Sequence, residues 1–508
     1  MLFHTIDRRS FVVGCAAVAA DMSGYFPPRA RSELVALADQ GASLPPLQFP
    51  TALNSDRTAF IDRYGEPCFA CGDAPQYLIQ QLSKPDIEAY LFDRAARGIN
   101  VLWMIAADRL YQSNPPNNLV GDAPFGGADF TNFNEPYWAY VDHVMQRCLD
   151  YGVTVLLMPL FVGLTGTQGY LTSLKDSSDA TIQGYGTFLA NRYKSFPNLI
   201  WLLGGDADPN DAAVYAKLDK LAMAIKAADP LHLMTMEANY VLEAGARTPN
   251  GGYSSVDAHR IAYDSVKSWL DINWVYQPLE SVVSGAQRCY SQGLPCLLGE
   301  DWYELEHSTT AVQLRAEGYG AVLGGCTLGR LFGNGAIWPF NSANAGNNIN
   351  AGPPTWQSQL NSAGSVGQQL LGKLFRSRSF HLLVPDTSNV VMTAGSAGGS
   401  ICARTSDGQT IIAYLPSSQT FWGKLISRRQ AVTIDISKIA DGTNLANCNW
   451  YNPGTGAVTA IGNFANSGTH KFTSPDSSDW VLVIDSAAAN LRAPGTHLSE
   501  PRTIVNPG

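Results

Sequence analysis

Charge is scarce in this chain: only 15% of its 508 residues are Asp, Glu, Lys or Arg. Basic side chains are the scarcer kind, 34 against 43 acidic ones, and the formal net charge is −9. A nucleic acid is therefore excluded as the expected partner, because no basic field exists to hold its phosphates; a neutral or weakly charged substrate fits better. Histidine is thin as well. Its eight residues are scattered without an HExxH or similar ligand spacing, which speaks against a metal-dependent hydrolase. No glycine-rich phosphate turn follows the first predicted strand, which disfavours a doubly wound open sheet, and no cofactor is called for. No apolar run is long enough to span a membrane as a mature segment. What is present is a 45% apolar, globular composition in a chain too long for one ordinary core. A large domain plus a smaller one is expected.

The N-terminus reads as an export signal over residues 1–20. Arg8-Arg9-Ser10-Phe11 precedes a short apolar run of small residues, Val12 to Ala20, with Ala17-Val18-Ala19 as a candidate cleavage site. The paired arginines followed by Phe11 resemble a twin-arginine translocation signal, which places the mature chain in the periplasm or outside the cell. Val12-Val13-Gly14-Cys15 also resembles a lipoprotein box, although too few apolar residues separate it from the arginines. Residues 21–50, with Pro27-Pro28 and Pro45-Pro46, form a leader without clear periodicity. Export makes local disulfides reasonable: Cys68 with Cys71, Cys289 with Cys296, and Cys402 with Cys448 in the C-terminal region. A zinc role for Cys68 and Cys71 lacks a second CxxC or a nearby His, so no metal site is expected.

From about residue 60 to 340, short apolar runs alternate with amphipathic helical stretches. Expected strands are Phe69-Ala70 ahead of Asp73, Asn100–Ile105, Val153–Met158, the run ending at Asp206, His232–Met236, Asp271–Val275, the run ending at Glu300, and Gly320–Leu323. Helices are expected between them over Ser83–Gly98, Pro136–Tyr151, Thr181–Ser195, Asp211–Ala228, Leu279–Gln292 and Ala311–Tyr319, with Ser265–Leu270 leading into the sixth strand. About eight strand–helix units predict an α/β fold, a (β/α)8 TIM barrel over residues 51–385. Beyond it the helical signal fades into short alternating strands at Val390–Met392, Thr410–Leu415, Ala431–Ile436 and Trp480–Ile484. These predict a small C-terminal antiparallel β-sandwich over 386–488, with a loosely held tail at 489–508.

Two of the barrel runs end alike. Asn198 to Asp206 and Leu294 to Glu300 are apolar strands that close on glycine followed directly by an acid. An acid past the C-terminal end of a barrel strand sits where such enzymes place catalytic groups. If Asp206 follows the fourth strand and Glu300 the seventh, the two face each other across the mouth, and paired carboxylates are the equipment of glycoside hydrolysis. A separation of about 5 Å gives retention of anomeric configuration and roughly 6.5–9.5 Å gives inversion. The competing structural readings are a helix cap for Asp206 and an ion pair for Glu300. Asp73, Glu237 and Gln277 also follow strands and are expected to bind sugar hydroxyls, while Tyr303 and Trp338 are candidate apolar walls for a sugar face.

Several stretches resemble the apiosidase-like glycoside hydrolases. Gly72-Asp73-Ala74 with Tyr90 to Gly98 is similar to the family's opening, and Asn191 to Asp206, Gly299-Glu300 with Tyr303-Glu304, and Gly318-Tyr319-Gly320 with Ile337-Trp338 follow its later motifs. Trp450 to Gly456 and Asp479-Trp480 resemble the sandwich called a collagen-binding domain. The resemblance covers most of residues 60–485. It implies a retaining mechanism with Asp206 as acid/base and Glu300 as nucleophile, acting on an oligo- or polysaccharide. Departures surround that pair. Gln76 and Phe161 stand where Trp is common, Leu328-Gly329-Arg330 where a His-containing loop is expected, and Thr235-Met236-Glu237 where the family has Thr-Tyr-His. Glu237 is then a substrate-binding acid or a rival catalytic carboxylate, and the sugar is not inherited from apiosidases. The alternative function is a non-catalytic carbohydrate- or matrix-binding protein.

Overall fold

The computed structural model describes residues 50–496 apart from 167, 240–252, 343–353, 396–397, 418–427 and 441–444. The export signal, nearly all of the leader, and residues 497–508 of the tail lie outside the described residues. A short hairpin, Ala52–Leu53 with Phe60–Ile61, precedes the main sheet.

Eight parallel strands form that sheet: β1 (Ala70–Asp73), β2 (Val101–Ile105), β3 (Thr154–Met158), β4 (Leu199–Leu203), β5 (Met234–Met236), β6 (Asn273–Tyr276), β7 (Cys296–Glu300) and β8 (Gly329–Phe332). They pair in the order β5-β4-β3-β2-β1-β8-β7-β6. The ring closes between β5 and β6, where the Asp271 amide donates to the Met234 carbonyl at 2.9 Å and the Thr235 hydroxyl to that of Ile272 at 2.9 Å. Strand parity explains the continuous apolar runs. Val101, Trp103 and Ile105, with Leu156, Met158, Ile200, Leu202 and Trp274, fill the interior. Leu102, Met104, Val155, Leu157, Trp201 and Leu203 face the helices. Strands buried on both faces need no polar side. Trp103 and Trp274 meet edge to face at 5.3 Å, so the interior is a packed core below the mouth.

Each strand is followed by a helix: α1 (Lys84–Ala96), α2 (Glu135–Asp150), α3 (Asp179–Tyr193), α4 (Ala212–Ala228), α5 (Ser255–Tyr263), α6 (Val282–Tyr290), α7 (Ala311–Gly324) and α8 (Ala363–Arg376). Caps set the starts. Ser83 accepts the Asp86 amide at α1, and at α5 Ser254 and Asp257 exchange a capping box. The helix before β6 is α5, which ends at Asp264 with φ +57°. Ser265–Leu270, which leads from it to β6, is a connection anchored by the Trp269 indole and the Lys267 ammonium, both on Asp219 of α4. One expectation fails. Gly320–Leu323 is not the eighth strand but the last turn of α7. That turn is buried all round, which erases the polar face that would mark it as helical.

Cys289 and Cys296 form a disulfide joining the end of α6 to the start of β7. The other two expected bridges are absent. Cys68 packs into the barrel interior and Cys71 into the helix layer, on opposite faces of the sheet. Cys402 and Cys448 are also free and buried.

Among the described residues the C-terminal part has nine strands: β9 (Leu383–Pro385), β10 (Met392–Ala394), β11 (Ile401–Thr405), β12 (Thr410–Leu415), β13 (Ala431–Asp435), β14 (Leu445–Tyr451), β15 (Val458–Ala465), β16 (Thr469–Thr473) and β17 (Trp480–Ser486). They make two antiparallel sheets, β9-β11-β12-β17-β14-β15 and β10-β13-β16. Two strands therefore separate Cys402 on β11 from Cys448 on β14, a gap of roughly 14 Å that no disulfide spans. The sandwich seats on the helix layer of the barrel. Arg315 of α7 forks onto Asp479 at 2.7 and 2.8 Å, Tyr319 stacks on Tyr414 at 5.1 Å, and the Tyr451 hydroxyl donates to the Leu370 carbonyl of α8.

Candidate active site

The end of β4 leaves the strand through three successive left-handed residues: Gly204 (φ +97°), Gly205 (φ +88°) and Asp206 (φ +56°). A Cβ on Gly204 would lie 2.0 Å from the Glu237 carbonyl oxygen, and one on Gly205 2.7 Å from the Phe161 ring, so neither position tolerates a side chain. Asp206 has no such excuse. A non-glycine residue held there costs roughly 1–3 kcal/mol and persists where the surroundings over-determine it, commonly at functional sites. Asp206 is not a helix cap, because Asp211 caps α4 by accepting the Val214 amide.

Glu300 reaches the mouth by another device. Trp274 and Leu297 pair in register and face inward; Val275 and Leu298 pair and face outward. Strict alternation would send Glu300 outward as well. Instead Gly299 is a bulge, so that Glu300 pairs with the inward Tyr276. Bulges re-aim side chains in this way. Gly299 must be glycine, since a Cβ would penetrate the Trp274 ring at 2.0–2.3 Å. No ion pair among the described residues involves Glu300.

A third carboxyl joins them. Glu237, one residue past β5, is 1% exposed and neighbours both of the others. Its carboxyl takes the Asp206 amide and hydrogen-bonds to that of Glu300. Burial raises all three acids. Asp206 is pushed up to about 6 by desolvation, and Glu237 to about 8 by desolvation and then the Asp206 charge. Glu300 rises well above the carboxylate range through burial and then the charge of Glu237, opposed by the Tyr303 hydroxyl. Carboxylates this close cannot all ionise together.

Aromatic side chains wall the cleft. The Tyr303 hydroxyl, which serves Glu300, accepts from the Gln76 amide at 2.8 Å. Trp338 packs on Tyr77 and Tyr111 at 5.7 and 5.6 Å, and Tyr111 meets Phe161 at 5.8 Å. The Asp206 charge helps raise both Tyr77 and Tyr111, which places them at its side of the mouth. Asp108 organises this wall by accepting the Tyr77 hydroxyl at 2.8 Å and the Tyr111 amide at 3.0 Å. Glu306 accepts the Trp338 indole N–H at 2.6 Å, and burial pushes it up to about 7.

Residues 54–381 match the family model described as the apiosidase-like catalytic domain, and residues 384–485 match one described as a collagen-binding domain of a collagenase. This chain belongs to the apiosidase-like glycoside hydrolases. Among solved structures, the apiosidase-like chain is similar to one named a glycoside hydrolase, at 22% identity and TM-score 0.70, covering 87% of this chain and 97% of the other. It is also similar to a glycoside hydrolase family 5 protein from Bacteroides vulgatus, at 21% identity and TM-score 0.69, covering 86% and 93%. These likenesses establish the barrel fold. A search of curated proteins found no match.

Within this apiosidase-like barrel, Asp206, Glu237 and Glu300 come together, with Tyr303 and Trp338 beside them; two expected residues do not join. Asp73 is an outward residue of β1, fully buried, taking the Tyr90 hydroxyl at 2.7 Å and standing 3.2 Å from the Arg94 Nε of α1. Gln277 also turns outward. Its amide carbon lies 2.5 Å from where a Cβ of Gly285 on α6 would stand, and its oxygen accepts from the Ser281 hydroxyl at 2.8 Å. Both are held by the helix layer. Leu328-Gly329-Arg330 runs into β8 instead of forming a loop, and Arg330 is an outward group paired with Asp301 at 2.6 Å. Sequence reasoning missed Tyr77, Asp108, Tyr111 and Glu306. The first three lie in the loops that leave β1 and β2 at the mouth end, a position that marks candidates in any barrel. Among the described residues no cluster of His, Cys, Asp and Glu is arranged to hold a metal ion.

Proposed function

We propose that this apiosidase-like chain is a retaining glycosidase with Glu300 as nucleophile and Asp206 as acid/base. The observation that supports this reading is the convergence of both carboxyls on one aromatic-walled mouth by two unrelated backbone devices, each at a cost in backbone freedom. In the first step a Glu300 oxygen attacks the anomeric carbon, the bond to the leaving oxygen breaks, and the Asp206 proton goes to that oxygen. In the second, Asp206 as carboxylate takes a proton from water, whose oxygen attacks the anomeric carbon and expels Glu300. Burial suits Asp206 to this task, because a proton held up to about pH 6 is available to a leaving group under mildly acidic conditions. The substrate proposed is a furanoside or other side-chain sugar of a plant or microbial polysaccharide. Export to the periplasm or beyond, resting on Arg8-Arg9-Ser10-Phe11, agrees with such a polymer.

The test is a screen of aryl furanosides and pyranosides, followed on the best substrate by NMR of the first-formed anomer. Retention is expected; net inversion would remove Glu300 from the nucleophile role. Binding of a glycan without product release, unaffected by loss of either carboxylate, would favour the non-catalytic alternative.

A further inference from the structure

Glu304 follows Tyr303 in the loop that leaves β7, is buried, and belongs to neither chemical role above. Its backbone is stitched to the loop that leaves β8: its amide donates to the Gly333 carbonyl at 3.0 Å, and its carbonyl accepts from the Gly335 amide at 2.8 Å. Its carboxylate reaches a further element. Oε1 accepts the Gly364 amide in the first turn of α8 at 2.9 Å. Oε2 accepts the Asn334 side-chain amide at 2.9 Å, together with the hydroxyl of Ser362, the residue that caps α8. A carboxylate suits the start of a helix, where amides lack partners and the dipole favours negative charge. The same turn is tied to β1 as well, because Arg94 donates to the Ser365 hydroxyl at 2.6 Å and stands 3.2 Å from Asp73. The polar groups of β1, β7 and β8 that do not enter the mouth are thus joined behind it, on the first turn of α8.

What this layer carries is Tyr303. Its ring lies on Gly333, where a Cβ would stand 2.1–2.4 Å from three ring atoms, and its hydroxyl accepts from the Gln76 amide at 2.8 Å. The ring keeps its place only while Gly333 keeps its height, and Gly333 is the residue to which the Glu304 amide is bonded. We propose that Glu304 is a positioning residue: by tying the loops after β7 and β8 to α8, it sets the Tyr303 hydroxyl in the wall of the mouth beside Glu300. This inference rests on the reading of Glu300 as nucleophile. An attacking carboxylate must be aimed, and a misplacement of about 1 Å can cost on the order of a hundredfold in rate. Glu304 acts through Tyr303 and not on the sugar, so its contribution belongs to turnover more than to binding.

The experiment uses the full-length chain and the best aryl glycoside from the screen, with kcat referred to the folded fraction. Glu304→Gln keeps the length of the side chain but turns an NH2 group toward donors that need an acceptor. It should lower kcat roughly ten- to a hundredfold while KM changes by less than about threefold. Tyr303→Phe, which removes only the hydroxyl, should show a loss of similar size. Adding Glu304→Gln to Tyr303→Phe should then cost less than about twofold more, because the two act as one unit. Losses that multiply in the double variant would overturn the inference. So would a Glu304→Gln protein that melts lower yet turns over like wild type, which is what a merely structural residue gives. If Glu304→Gln does not fold, Gly364→Ala displaces the carboxylate without removing it, since its Cβ would stand 2.7 Å from Oε2, and the same non-additivity with Tyr303→Phe is expected. Should Glu300→Gln leave turnover intact, the nucleophile reading fails by itself. A crystal structure of Glu304→Gln, or of Gly364→Ala in its place, still decides the positioning: the 2.8 Å contact between Gln76 and the Tyr303 hydroxyl should open, and its persistence would overturn the inference.

Discussion

Two strand ends carry the same Gly-acid signature and arrive at it for opposite physical reasons. At β4 the constraint is in the backbone: three left-handed residues lift Asp206 off the strand, and Gly204 passes so near β5 that a Cβ would strike the Glu237 carbonyl. At β7 the backbone is extended and the constraint is a neighbour. Gly299 is a bulge lying under the Trp274 ring, and the bulge reverses the parity that would have hidden Glu300. The contrast teaches that a short motif names a requirement without naming its cause. The cause decides which substitutions can be rescued.

The largest expected effect separates the two acids themselves. Glu300→Gln should lower kcat by several orders of magnitude with every leaving group, because no bond to the anomeric carbon can form. Asp206→Asn should do so only for poor leaving groups and recover toward wild type with activated aryl glycosides, since what it removes is the proton. Parallel profiles for the two variants would erase the division of roles.

Next in size are the glycines. Gly204→Ala combines a positive φ with a backbone collision and should cost several kcal/mol or prevent folding, with no rescue available from a second site. Gly299→Ala meets only a side chain. It should cost about 1–3 kcal/mol in denaturant unfolding, and Trp274→Leu in the same chain should recover part of that loss. If the Trp274 change rescued Gly204→Ala as well, the distinction between the two ends would fall.

How legible each end was follows from the same physics. Strands β2, β3, β4 and β7 announced themselves, because burial on both faces leaves an unbroken apolar run between turn residues. That same rule misled at Gly320–Leu323, where a helix buried all round looks like a strand. Asp73 and Gln277 were in principle readable: counting alternately from inward Ala70 and Trp274 puts Asp73 and Gln277 on the outer face. The same count applied to Glu300 gives the wrong face, since a single bulged residue cannot be seen in a run of amino acids. Glu237 stands out in the sequence as a departure from the family's Thr-Tyr-His. Its contact with both other acids depends on how β5 lies between β4 and the closing edge at β6, which only the folded ring supplies.

The smallest effect concerns stability, and it tests whether the cluster of acids is held at a cost. Asp206 and Glu237 bind protons more tightly in the folded chain than in the unfolded one, at about 6 and about 8 against ordinary carboxylate values near 4. Between those limits the native state holds more protons, so stability must fall as pH rises from about 4 to 8. Removing a titrating carboxyl removes that slope. Asp206→Asn and Glu237→Gln should therefore melt close to wild type near pH 4 and above it near pH 8, by an amount on the order of 1–2 kcal/mol each. Glu300→Gln should follow the same course. Alanine at Asp479, whose partner is Arg315 in the sandwich contact, should instead lower stability across the whole range by losing a fork of two hydrogen bonds far from the mouth. Thermal melts at pH 5 and pH 8 make the comparison: a pH-dependent gain confined to the three acids locates the strain in the cleft, while an equal shift at both pH values in every variant would disperse it through the fold.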